Sequence, residues 1–136
     1  PLAYQIIWYT VNMTLNIPPE KMAEYRASYK KRQALERKKL DQRFELAWEV
    51  ARHGADLLRS KFQVEKVVVF GSLTNRELFH IRSDIDLAVW GLSDELYWRA
   101  LGIMLDLSPE FSVDLVSVES APERICRTIE AEGISI

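Results

Sequence analysis

Cysteine and histidine are scarce in this chain: one cysteine, Cys126, and two histidines stand among 136 residues. A lone cysteine excludes an internal disulfide and fits a reducing cytoplasm, the expected location. On a helix it reads as a small buried hydrophobe, not as a nucleophile. No second histidine is suitably spaced from His80, which is therefore read as a packing or hydrogen-bonding residue and not as a metal ligand. Neither sign of charge dominates. The formal net charge of −2 gives no global pull toward nucleic acid or anionic membrane, so any such affinity has to be local. Long apolar runs are missing too. The opening PLAYQIIWYTVN falls far short of the roughly 20 residues of a membrane-spanning helix, and it has neither the basic start nor the small-residue cleavage site of a secretory signal.

What is present describes one domain with a real core: 48% of the residues are hydrophobic and 28% charged, ordinary values for a soluble globular chain. Three stretches are expected. Residues 1–12 read as an upstream extension or an added strand, because Met13 is followed by TLNIPPEK, which resembles a natural start with a helix entry behind it. Residues 13–62 read as a helical region and 63–136 as the core. From Pro18 onward apolar residues such as Met22, Tyr29, Phe44, Ala51, Ala55 and Leu58 keep helical spacing, as a long amphipathic helix or a helix pair would. The apolar face thins at Gln33 and Glu36, where a break between two helices is expected. The basic residues from Arg26 to Lys39 are interspersed with acidic ones and lack interleaved aromatics, so they read as a solvated face. Docking of RNA or a partner there is the secondary reading, and direct nucleic-acid binding is not favoured.

The second half alternates short apolar runs with helical ones. Strands are expected at 66–70, 84–90 and 111–118, and helices at 93–105 and after Ser120. Ser93 is placed to cap the first of these helices. Ser120-Ala-Pro-Glu123 has the pattern of a capping box, and Gly133 ends the last helix.

Asp84 and Asp86 open the second strand on one side, with Ile85 and Leu87 pointing to the other. Aspartate is depleted in strands, and two adjacent carboxylates repel, more so when burial raises a pKa. A divalent cation removes that conflict, and magnesium is often held by one or two carboxylates with phosphate and water. The helical crossover from the second strand to the third makes them parallel, so they begin at the same sheet edge and bring Asp114 beside the pair. A first strand antiparallel to the second ends at that edge as well, and delivers Gly71-Ser72, a turn whose amides and hydroxyl suit phosphate oxygens.

Phe70-Gly71-Ser72, the loop LTNRELFHIRS, and then Asp84-Ile85-Asp86-Leu87-Ala88-Val89 resemble the signature of the DNA polymerase β-like nucleotidyltransferases in their minimal, single-domain form. The resemblance covers 67–118 and, more loosely, the flanking helices. It implies an α+β nucleotidyltransferase fold: a small mixed β-sheet packed by helices, with a long N-terminal helix or helix pair. It implies that Gly71 and Ser72 hold the triphosphate; Ser83 and Arg82 are further candidate phosphate contacts from the residues themselves, with the choice between Arg76 and Arg82 open. It also implies that Asp84, Asp86 and Asp114 are catalytic and bind magnesium, as two ions roughly 4 Å apart. One departure concerns the loop, which lacks the Arg-Gly element that many minimal members carry after Gly-Ser; Arg76 and Arg82 are the cations available to replace it.

The activity so implied moves a nucleoside monophosphate, AMP first, from ATP or another nucleoside triphosphate to a hydroxyl and releases pyrophosphate. Few residues follow Asp114, against the acceptor-binding domain of polymerases. The acceptor is therefore expected to be gripped by another chain, by a homo-oligomer or by the N-terminal helices. Minimal members of this kind are typically antitoxins paired with a helical HEPN toxin, so the resemblance implies such a partner and AMP transfer to it. A non-catalytic antitoxin that masks its toxin ranks second, and an enzyme acting on a small molecule or an RNA end ranks third.

Overall fold

The computed structural model describes residues 2–15 and 17–136, with the side chains of 8, 9 and 11–15 excepted. Pro1 of the expected extension and the side chain of Met13 lie outside the described residues. The chain forms two compact units, residues 1–39 and 40–136. The first holds helix α1 (Leu2–Leu15), so the alternative of an added strand in 1–12 is overturned, and the beginning of helix α2.

Helix α2 (Pro19–Phe62) runs for 44 residues without interruption. The break expected near Gln33 and Glu36 is absent, because a thin apolar face is no helix breaker. The segment Gln33-Ala34-Leu35-Glu36 consists of good helix formers with no glycine or proline. Thinning of the face shows up as exposure instead: Leu35 is 53% exposed, whereas Ala47, Ala51, Ala55 and Leu58 further along are buried.

The second unit contains a four-stranded sheet in the order β3-β2-β1-β4, built from β1 (Lys66–Phe70), β2 (Ile85–Trp90), β3 (Val113–Ser117) and β4 (Ile134–Ser135). β1 and β2 pair antiparallel and β2 and β3 parallel, as expected, and β4 adds antiparallel to the free side of β1. Strand bounds shift slightly: Asp84 stands just ahead of β2, and β3 is shorter than 111–118.

Alternation along the strands divides the core in two. Val67, Val69, Ile85, Leu87, Val113 and Leu115 face the C-terminal part of α2 and helix α3 (Asp94–Leu105), whose Ala100 and Met104 are buried. The small side chains of the α2 stripe let this helix lie close; a Cβ on Gly54 would stand 3.0 Å from a Leu107 methyl and 3.3 Å from one of Leu87. On the other face Val68, Phe70 and Ala88 pack against Ile129 of helix α4 (Glu123–Glu132), with Ile125 one turn earlier.

Of the two expected serine caps, Ser93 stands where expected and Ser120 does not. Ser93 occupies the cap position of α3 without a side-chain bond. Ser120 belongs to a short 3-10 turn, Val118–Ser120, and its hydroxyl donates to Asp94 instead. The cap of α4 is Pro122, two residues after Ser120, so Glu123 is the first helical residue and not the third, and Ser120 is outside the reach of the helix amides. Gly133 does end α4, with its N–H donating to the Ile129 carbonyl.

Candidate active site

The start of β2 is where the sequence elements meet. In the parallel pairing of β2 and β3, Asp86 is the register partner of Asp114, and in the antiparallel pairing of β1 and β2 it is the partner of Phe70. The chain leaves Phe70 directly into Gly71-Ser72, which opens a 3-10 turn, Gly71–Thr74. Strand alternation therefore puts Asp86 and Asp114 on the α4 face of the sheet, one position beyond its apolar patch of Val68, Ala88 and Val116. Asp84 lies two residues before Asp86, ahead of the strand.

Gly71 is required where it stands. Its φ is +77°, a region that side chains with a Cβ rarely enter, and a Cβ would come within 2.3 Å of Asp86 Oδ2. The turn and the carboxylate therefore pack against one another. The turn is braced by the Thr74 hydroxyl, which donates to the Gly71 carbonyl at 2.7 Å, and by Leu73, which is fully buried.

Asp86 is half-buried, whereas Asp84 and Asp114 are exposed. Burial pushes the Asp86 carboxyl up from 3.8 to about 6, and the neighbouring negative charges of Asp114, Asp84 and Glu132 add to the rise. Loss of hydration and like charge act in the same direction here. Glu132 was not anticipated from sequence. It comes from the end of α4, and its Oε1 accepts the Gly71 N–H at 3.0 Å. The one signal that points to it is periodicity: Ile125 and Ile129 turn α4 toward the sheet, and Glu132, three residues on, continues that face toward the carboxylates.

The loop after the turn sorts the remaining candidates. Arg76 is committed to α2: its guanidinium donates to Asp41 Oδ1, through Nε at 3.0 Å, and its Cζ lies 5.4 Å from the centre of the Phe44 ring. Arg82 is exposed, and among the described residues its side chain has no ion-pair partner. Ser83 is buried, and its Oγ accepts the His80 N–H at 2.9 Å while its own N–H donates to the His80 carbonyl. Its hydroxyl is thus already engaged in shaping the loop. His80 hydrogen-bonds locally as expected, with Nδ1 accepting the Arg82 N–H. Cys126 is half-buried on α4, with its thiol 3.7 Å from the Val118 carbonyl.

The donor set is all oxygen, which suits a hard cation. Among the described residues no group of three carboxylates is drawn together closely enough to hold a metal ion. Magnesium does not require such a cage, since it is usually taken by one or two carboxylates completed by phosphate and water. Among the described residues, no helix is long and apolar enough to cross a membrane.

Against known proteins, no curated sequence matches the chain. Among solved structures it is similar to a chain of a toxin–antitoxin complex with AMP-PNP, at 27% identity and a TM-score of 0.51, over 60% of this chain and 67% of that one. It is similar in fold, at 22% identity and a TM-score of 0.51, to a chain of a Shewanella oneidensis complex of a tri-AMPylated HEPN toxin with an MNT antitoxin. That likeness spans 65% of this chain and 70% of that one. The family model described as polymerase beta, nucleotidyltransferase, matches residues 54–136, which hold the turn, all three aspartates and every strand. The chain belongs to the polymerase beta nucleotidyltransferase family.

Proposed function

We propose that the chain is the antitoxin of a HEPN toxin pair and that it transfers AMP from ATP to a hydroxyl of its partner. The observation that carries this reading is the meeting of the Gly71-Ser72 turn with Asp86 and its register partner Asp114 at one sheet edge. Supporting it is the likeness to a toxin–antitoxin complex solved with AMP-PNP. The choice of AMP and of a HEPN partner follows the fold likeness to the AMPylated toxin complex.

The roles divide by exposure and position. The Gly71 amide and the Ser72 hydroxyl bind the triphosphate, and Arg82 supplies a positive charge at its rim. Asp84 and Asp86 hold magnesium, which when bound neutralises the carboxylates and the phosphates together. Exposed Asp114 faces the acceptor and takes its proton. The acceptor oxygen bonds to the α-phosphorus, the bond from that phosphorus to the bridging oxygen breaks, and pyrophosphate leaves. Positioning and charge neutralisation do most of the catalytic work in such a transfer.

The test is intact-mass spectrometry of the chain co-expressed with the toxin encoded beside it, incubated with magnesium and each nucleoside triphosphate in turn. The expected result is a gain of one or more AMP units on the toxin with ATP, abolished by Asp84→Asn. A stable complex that gains no mass under any condition would leave a masking antitoxin in place of the enzyme. Absence of any complex would shift the reading to a small-molecule or RNA acceptor.

A further inference from the structure

The reading above gives the Gly71 amide to a phosphate, yet in the free protein that amide already has an anion on it. Glu132 Oε1 accepts the Gly71 N–H at 3.0 Å, and its charge is among those that press on Asp86. We propose that Glu132 is an internal competitor for the phosphate position, so that an incoming triphosphate must displace its carboxylate from Gly71. This rests on the assignment of Gly71 to phosphate binding and adds a residue that sets nucleotide affinity.

The surroundings make the displacement local. In the folded unit the main chain after Glu132 is held by hydrogen bonds: Gly133 N–H bonds to the Ile129 carbonyl, Ile134 pairs with Val69, and Ile136 N–H bonds to the Val67 carbonyl. Release of the whole segment is therefore unnecessary, and rotation of the exposed Glu132 side chain alone vacates the amide. Two consequences distinguish a competitor from a bystander. A carboxylate hydrogen-bonded to an amide has to be replaced by an equally good acceptor, which a phosphate oxygen is. Its charge also repels the polyanion on approach, so removing it favours nucleotide in both ways.

Calorimetric titration with ATP and magnesium, together with the Gly71 amide resonance in NMR spectra, tests this on the parent, Glu132→Ala, Glu132→Gln and the control Glu130→Ala. Glu132→Ala is expected to tighten ATP binding by about threefold to tenfold, the range of one hydrogen bond's net worth. Glu132→Gln, whose side-chain oxygen still accepts, should fall between Ala and the parent. Glu130→Ala removes the same charge from α4 and should leave affinity near that of the parent. In every variant the Gly71 resonance should move on nucleotide addition. Unchanged or weaker binding in Glu132→Ala, with Gly71 still responding to ATP, would overturn the competitor and keep the phosphate assignment. A Gly71 resonance indifferent to ATP in parent and variants alike would overturn both. Should Glu132→Ala melt too low to titrate, Glu132→Gln decides alone, with parental affinity counting against the proposal.

Discussion

Asp86 binds a proton more readily in the folded chain than in the unfolded one, because its carboxyl is pushed from 3.8 to about 6. Between those values the native state holds a proton that the unfolded chain releases, so this group's contribution to stability is present at low pH and is lost as pH rises toward 6 and beyond. Asparagine imitates the neutral form at every pH. In chelator, the melting temperature of the parent should therefore fall relative to that of Asp86→Asn as pH is raised from about 4 to about 7, and parallel curves would count against the repulsion. Gly71→Ala should destabilise by about 1–3 kcal/mol in denaturant titrations, the usual range for a forced left-handed residue, with relief if Asp86 is shortened to alanine in the same chain. The meeting of Asp86 with Asp114 was legible because two strands joined by a helical crossover run parallel and begin at one sheet edge. Glu132 was not, since 61 residues separate it from Gly71 and a glutamate near a helix end signals nothing by itself.

Helix α2 shows how one element combines two requirements. Leu58 is fully buried against the sheet, while Leu35 on the same helix is 53% exposed. Leu58→Ala should cost about 2–5 kcal/mol, and Leu35→Ala no more than about 0.5 kcal/mol, both read from urea midpoints. Equal costs would mean that Leu35 is covered in solution. The bounds of β1 were legible to the residue, because Lys66–Phe70 is a dense run of β-branched and aromatic side chains ending at Gly71. β4 was not legible. Two residues, Ile134 and Ser135, carry no alternation, and their pairing is set by where α4 delivers them. The supposed break in α2 failed for the opposite reason: solvent exposure was read as loss of helix, though helix propensity there is high.

At the scale of the whole molecule, the candidate site and both core clusters lie inside residues 40–136. A fragment of those residues should keep a cooperative melting transition and the nucleotide-dependent shift of Gly71, and loss of either would show that the site depends on the N-terminal unit. The fold class was legible because the order of strand, turn, strand, helix and strand admits few sheets. One consequence concerns time. β2 is hydrogen-bonded on both sides, by β1 and β3, while β4 hangs on β1 by two residues. Amide hydrogens of β2 should exchange only when the entire unit unfolds, and those of β4 by brief local opening. Asp86 is thus mounted on the longest-lived part of the sheet, and Glu132 next to one of the shortest-lived. The wall proposed to receive a cation should therefore stay in place through openings of β4 that loosen the chain beside Gly71.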